Sequence, residues 1–203
     1  MSNGIIRKER TLKLTYLALM TAMVIVCELL SILVGGIFTI TFALVPIVIG
    51  AAICGPWGGA WLGGVFSVIV LASGKAAGFY GLNPVGTIVT VMLKGILAGL
   101  AAGFVYYLFS RVKNDFVSKN VSAFGAAIAA PVVNTAVFVL GSLVFFYDSL
   151  ASDAGGGLGA TIVYIFVGLV GINFFVELGI NLLLAPVLIR LLGLLNKKAF
   201  KIK

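Results

Sequence analysis

Histidine is absent from this 203-residue chain, and charged residues make up only 10% of it. Without an imidazole there is no His-ligated metal site, no His general base and no Ser-His-Asp triad. The two cysteines, Cys27 and Cys54, lie inside apolar runs, where small core residues are expected rather than a disulfide. No Gly-rich loop ending in Lys-Ser/Thr occurs, which excludes ATP binding of the Walker type. Acidic residues are scarce, six against 14 basic, leaving a net charge of +8. In a soluble protein that balance would suggest nucleic acid; in a membrane chain it reports orientation. No cleavable leader is expected, because the basic start runs into an apolar stretch longer than a signal's apolar region.

What the chain has in abundance is apolar surface. Hydrophobic residues reach 62% and the mean hydropathy is +1.22, against roughly 45–50% apolar in a soluble domain. One core of this size cannot hide that much, so an integral membrane protein is expected. Each span needs ~20 apolar residues. Breaks at Gly35-Gly36, at the Gly55–Gly59 cluster, over Ser73–Pro84, over Arg111–Lys119 and over Asp148–Leu158 divide the sequence. The fold class is therefore all-α: a six-helix transmembrane bundle forming one domain over 1–203. Its helices are expected near 12–34, 40–54, 57–72, 85–109, 121–147 and 159–195. All basic residues except Lys75 and Lys94 fall in the N-terminal tail, the Arg111–Lys119 loop or the C-terminal end. These lie on one side of an even-numbered bundle, so both termini are expected in the cytoplasm.

Glycines recur at spacing four in two places, Gly55-Gly59-Gly63 and Gly95-Gly99-Gly103. Each series makes a smooth groove for a close helix approach, either within the bundle or at a subunit interface. Trp57 and Trp61 read as interfacial anchors.

An ionisable residue inside a span is costly and marks a functional site by default. Three occur: Glu28, Lys94 and Glu177. From the helix rise, Glu28 lies about 22 Å from the cytoplasmic edge, Lys94 roughly 15 Å below the outer edge and Glu177 about 20 Å above the inner edge. Asn134 lies at a similar level, and Asn173, Glu177 and Asn181 form one helical stripe. Asn83 and Tyr80 stand in the outer connection above. This convergence predicts an outward-facing polar pocket. The plainer reading is a structural one: Lys94 neutralises Glu177, the asparagines bridge helices, and Glu28 reaches outer water.

Three stretches together carry a resemblance. They are Ala18-Leu19-Met20-Thr21-Ala22 after a basic start, Gly55-Pro56-Trp57-Gly58-Gly59-Ala60-Trp61-Leu62-Gly63, and Asn83-Pro84 with the later Asn134-Thr135. In order and spacing they resemble the S-components of energy-coupling factor (ECF) transporters. The resemblance implies a bacterial cell-membrane subunit that binds a small water-soluble vitamin in the outer half of the bundle, without cofactor or catalysis. It implies partnership with a transmembrane coupling subunit and two cytoplasmic ATPases, and a toppling motion that carries the site inward. It assigns Ala18 and Ala22, one turn apart on the first helix, to docking on the coupling subunit. Leu19, Met20 and Thr21 depart from the family's denser alanine cluster. Among vitamins the sequence looks most like a pantothenate-type component, with folate or riboflavin as alternatives. Lys94 suits an anionic ligand, whereas Glu28 and Glu177 would suit a neutral or cationic one. The competing function is a self-sufficient secondary transporter that uses Glu28 or Glu177 for proton coupling.

Overall fold

Leucine, valine, isoleucine and alanine dominate the long apolar runs, and in lipid a backbone must satisfy its own hydrogen bonds, so these runs form helices. The computed structural model describes residues 2–34, 41–114 and 117–200. The elements are α1 (Ser2–Val34), α2 (Leu44–Cys54), α3 (Pro56–Ala72), α4 (Ala77–Leu82), α5 (Pro84–Ser110), α6 (Ser122–Phe145), α7 (Tyr147–Asp153), α8 (Leu158–Val163) and α9 (Gly171–Phe200). A π-helical turn, Val117–Val121, leads into α6, and a longer one, Tyr164–Val170, joins α8 to α9. The expected break at Gly35-Gly36 and the expected helix start at residue 40 lie outside the described residues.

Among the described residues, four stretches are long and apolar enough to cross a membrane: Arg10–Leu33, Pro84–Ser110, Ser122–Phe145 and Leu158–Val187. The sequence suggested six. The other two, α2 and α3, have 11 and 17 residues and reach about 16 and 26 Å, short of the ~30 Å hydrocarbon core. They meet at Gly55, whose φ of +87° is open to glycine alone at no cost. Pro56 then opens α3, where its missing N–H has no partner to lose.

The two glycine series belong to one interface inside the bundle. α3 and α5 run antiparallel in a constant register that sets Gly55 against Gly103, Gly59 against Gly99 and Gly63 against Gly95. A Cβ on Gly59 or Gly63 would collide with the carbonyl group of its opposite glycine. The same register continues one turn further, where the Ser67 hydroxyl donates to the Val91 carbonyl at 2.7 Å. Backbone therefore touches backbone along most of α3.

Two apolar clusters fill the rest. The larger gathers Val24, Leu44, Ile47, Leu62 and Phe66 with the alanines of α6, among them Ala123, Ala126 and Ala130. The smaller gathers Val139, Phe146, Leu150, Ile165 and Val170.

Candidate functional site

A cavity of about 340 Å³ opens at the seam between the two clusters. The larger cluster lends it Phe66, Val70, Ala76 and Val91; the smaller lends Val170 with the neighbouring Phe79, Phe138, Leu169 and Phe174. Set into these apolar walls are Glu28, Thr41, Lys75, Lys94, Asn134, Thr135, Asn173 and Glu177. Five of the seven residues expected at a ligand site, Glu28, Lys94, Asn134, Asn173 and Glu177, thus share one chamber. Four separate helices supply them: α1, α5, α6 and α9.

Tyr80 and Asn83 are absent from the lining. Tyr80 packs against the larger cluster. Asn83 caps α5: its Oδ1 accepts the Gly86 N–H at 2.9 Å, and its amide donates to the Phe145 carbonyl at 3.4 Å. Both bonds fix the start of the helix that carries Lys94, so the Asn-Pro pair serves as an N-cap followed by proline at the first helical position. Asn181 also turns to its own helix and donates to the Glu177 carbonyl at 2.8 Å.

The charges are arranged unequally. Glu28 is wholly buried and does not reach outer water. It is met by Lys75, whose Nζ lies 2.6 Å from Oε1, while Oε2 accepts no hydrogen bond. In the sequence Lys75 is a single charge in a glycine-rich connection. The glycines around it gave no hint that the α3–α4 turn folds back over α1. Glu177 does not pair directly with Lys94; Thr41 lies beside its carboxylate. Among the described residues, Lys75–Glu28 is the one ion pair. The Lys94 ammonium instead stands 5.4 Å from the centroid of the Phe138 ring, a cation–π arrangement. Asn134 is buried, and its Oδ1 has no hydrogen-bond partner.

Counting both lysines and both carboxylates, the chamber is formally neutral, because Lys75 joins Glu28, Lys94 and Glu177 in its lining. Glu28 is paired with Lys75, and among the described residues Lys94 has no carboxylate in contact. In a chamber walled by phenylalanines a charge-assisted bond to it is strong.

Ala18 and Ala22 lie elsewhere. Both are exposed on α1, on a stripe that continues through Ile25 and Leu29. Trp61, 58% exposed, donates its indole N–H to the Thr21 hydroxyl at 3.3 Å and so stands beside this stripe.

No curated protein and no solved structure matches the chain. The family model described as "ECF transporter, substrate-specific component" matches residues 12–189, nearly the whole length and every element that lines the chamber. Helices long and apolar enough to span a membrane, a mixed polar chamber at their seam and this match agree: the chain belongs to the substrate-specific components of ECF transporters.

Proposed function

We propose that this membrane subunit captures a small, water-soluble, carboxylate-bearing vitamin, of the pantothenate type, and that Lys94 binds the carboxylate. The observation that carries the reading is Lys94 itself: a cation on the chamber wall with no carboxylate in contact. Size agrees. A cavity of about 340 Å³ lies within the ~300–1,000 Å³ of ordinary small-molecule sites. Asn134 and Asn173 then address the ligand's amide or hydroxyl groups, while Glu28 and Glu177 hold the walls through Lys75 and Thr41.

In this reading α2 and α3 complete a six-helix membrane domain, both termini face the cytoplasm, and the chamber opens outward in a bacterial plasma membrane. The exposed Ala18–Ala22 stripe docks on a transmembrane coupling subunit served by two cytoplasmic ATPases. Small side chains there let a partner helix approach closely. This chain itself performs no catalysis.

Mass spectrometry of small molecules that copurify with the protein tests the substrate. A small carboxylic acid, lost when Lys94→Ala is purified in parallel, supports the reading. A flavin, a cation, or an acid retained undiminished by Lys94→Ala overturns it.

A further inference from the structure

The wall of the chamber formed by the π-helical turn that follows α8 differs from the others. Among the four long apolar stretches, Leu158–Val187 is the least buried. Its outer part, Leu158–Val170, hangs between two backbone breaks. At one end Gly155, Gly156 and Gly157 all have positive φ, between +82° and +92°. At the other, Gly171 has φ +22° and ψ −127°, interrupting the helix before α9 begins. Between them the turn Tyr164–Val170 is π-helical, a form often found at functional positions and less well bonded than an α-helix. Ile165 and Val170 anchor this segment in the smaller cluster, while Val167 on its other face is 73% exposed.

A second hollow, a surface groove of about 540 Å³, lies along the outside of the same segment, bordered by Asp153, Ala154, Gly159, Ala160 and Tyr164. Gly168 lines both the groove and the chamber.

We propose that ligand passes between the outside and the chamber sideways, past Gly168, with Leu158–Val170 as the movable wall. The proposal takes the chamber to be the ligand site, as above. Ile165 and Val170 form the apolar seal; the glycines at both ends let the segment swing without unfolding α9. A Cβ at Gly168 would meet only the Tyr164 ring, at 3.8 Å, so alanine fits there and a large side chain obstructs the passage.

The test reads access without needing a ligand. In a chain carrying Cys27→Ala and Cys54→Ala, Thr135→Cys places a single thiol on the chamber wall. Its modification rate by a water-soluble charged methanethiosulfonate is measured in lipid nanodiscs. Gly168→Phe should slow the reaction at least tenfold, Gly168→Ala by less than twofold, and Ile172→Phe, exposed just beyond the segment and bordering neither hollow, not at all. Loosening or misfolding speeds such a reaction, so slowing identifies an obstructed path. Ile165→Ala should speed it about tenfold, and Leu62→Ala, an equally buried truncation in the larger cluster, should not. Equal rates for Gly168→Phe and Ile172→Phe overturn the proposal. If Gly168→Phe does not fold, equal rates for Ile165→Ala and Leu62→Ala overturn it instead. Protection of the thiol by pantothenate is a separate arm. Its absence beside a slowed Gly168→Phe removes the substrate reading and keeps the passage; its presence beside an unchanged rate does the reverse.

Discussion

Replacing Lys75 by alanine should destabilise the protein far more than its loop position suggests. The Glu28 carboxylate has no exposed surface, Oε2 already lacks a partner, and the Lys75 side chain is only 16% exposed. Removing the ammonium leaves an uncompensated buried charge, for which broken buried pairs cost about 3–5 kcal/mol. An exposed pair would cost about 0–1 kcal/mol. For a chain of this length about 3 kcal/mol lowers Tm by roughly 6–12 °C. Glu28→Gln should cost less, about 1 kcal/mol, because the lysine it abandons can still reach water along its flexible stem. The double variant Lys75→Ala/Glu28→Gln removes both charges and should lose only about 2 kcal/mol, where the two single losses of about 3 and about 1 kcal/mol would add to about 4, giving a coupling of about 2 kcal/mol. Thermal unfolding of the purified subunit, followed by loss of the monodisperse peak in size-exclusion chromatography, completes the cycle. A coupling under about 0.5 kcal/mol, or equal losses from the two single variants, would refute the buried-pair reasoning.

Other outcomes are equally concrete. Lys94→Ala should weaken binding of the carboxylate ligand by at least about 30-fold, consistent with about 2–5 kcal/mol for an unpaired buried charge, as read by isothermal titration calorimetry. Asn83→Ala should cost about 1 kcal/mol through the lost cap, lowering Tm by about 2–4 °C with ligand affinity unchanged. Gly63→Leu should prevent α3 from seating on α5 and abolish the folded, monodisperse species, whereas Gly64→Ala, where the nearest atom is an Ile96 side-chain carbon at 3.7 Å, should be tolerated. Ala18→Trp or Ala22→Trp should block copurification with the coupling subunit while leaving ligand binding intact.

How much of this was legible beforehand depended on the kind of signal. Charge inside an apolar run is rare, so Glu28, Lys94 and Glu177 stood out, and helical rise placed them near one level before any coordinates. Glycine spacing revealed a close helix contact, but only the structure showed that the two series face one another. Lys75 and Thr41 were missed because a loop lysine and a lone threonine are ordinary residues; their importance comes from long-range folding over α1 and α9. Asn83 was legible in principle, since an asparagine before a proline at a helix start is a capping pattern, yet its depth near the expected pocket drew the functional reading instead. The lengths of α2 and α3 were foreshadowed by Pro46, Gly50 and the Gly55–Gly59 cluster. Nothing in the spacing of Gly168 and Gly171 foretold a π-helical turn, which is decided by how the segment packs.

The glycine register between α3 and α5 also divides labour among the chamber's walls. Lys94 is mounted on α5 next to Gly95, and α5 is held to α3 by main chain rather than by side-chain fit. Side-chain substitution elsewhere around the chamber leaves that mounting in place. The wall from Gly168 to Phe174 is apolar but for Asn173, and among the described residues it carries no ion pair. If Lys94 is the ligand's anchor, as proposed, such a subunit can exchange one guest for another by altering that wall alone, keeping a fixed mounting for the charge.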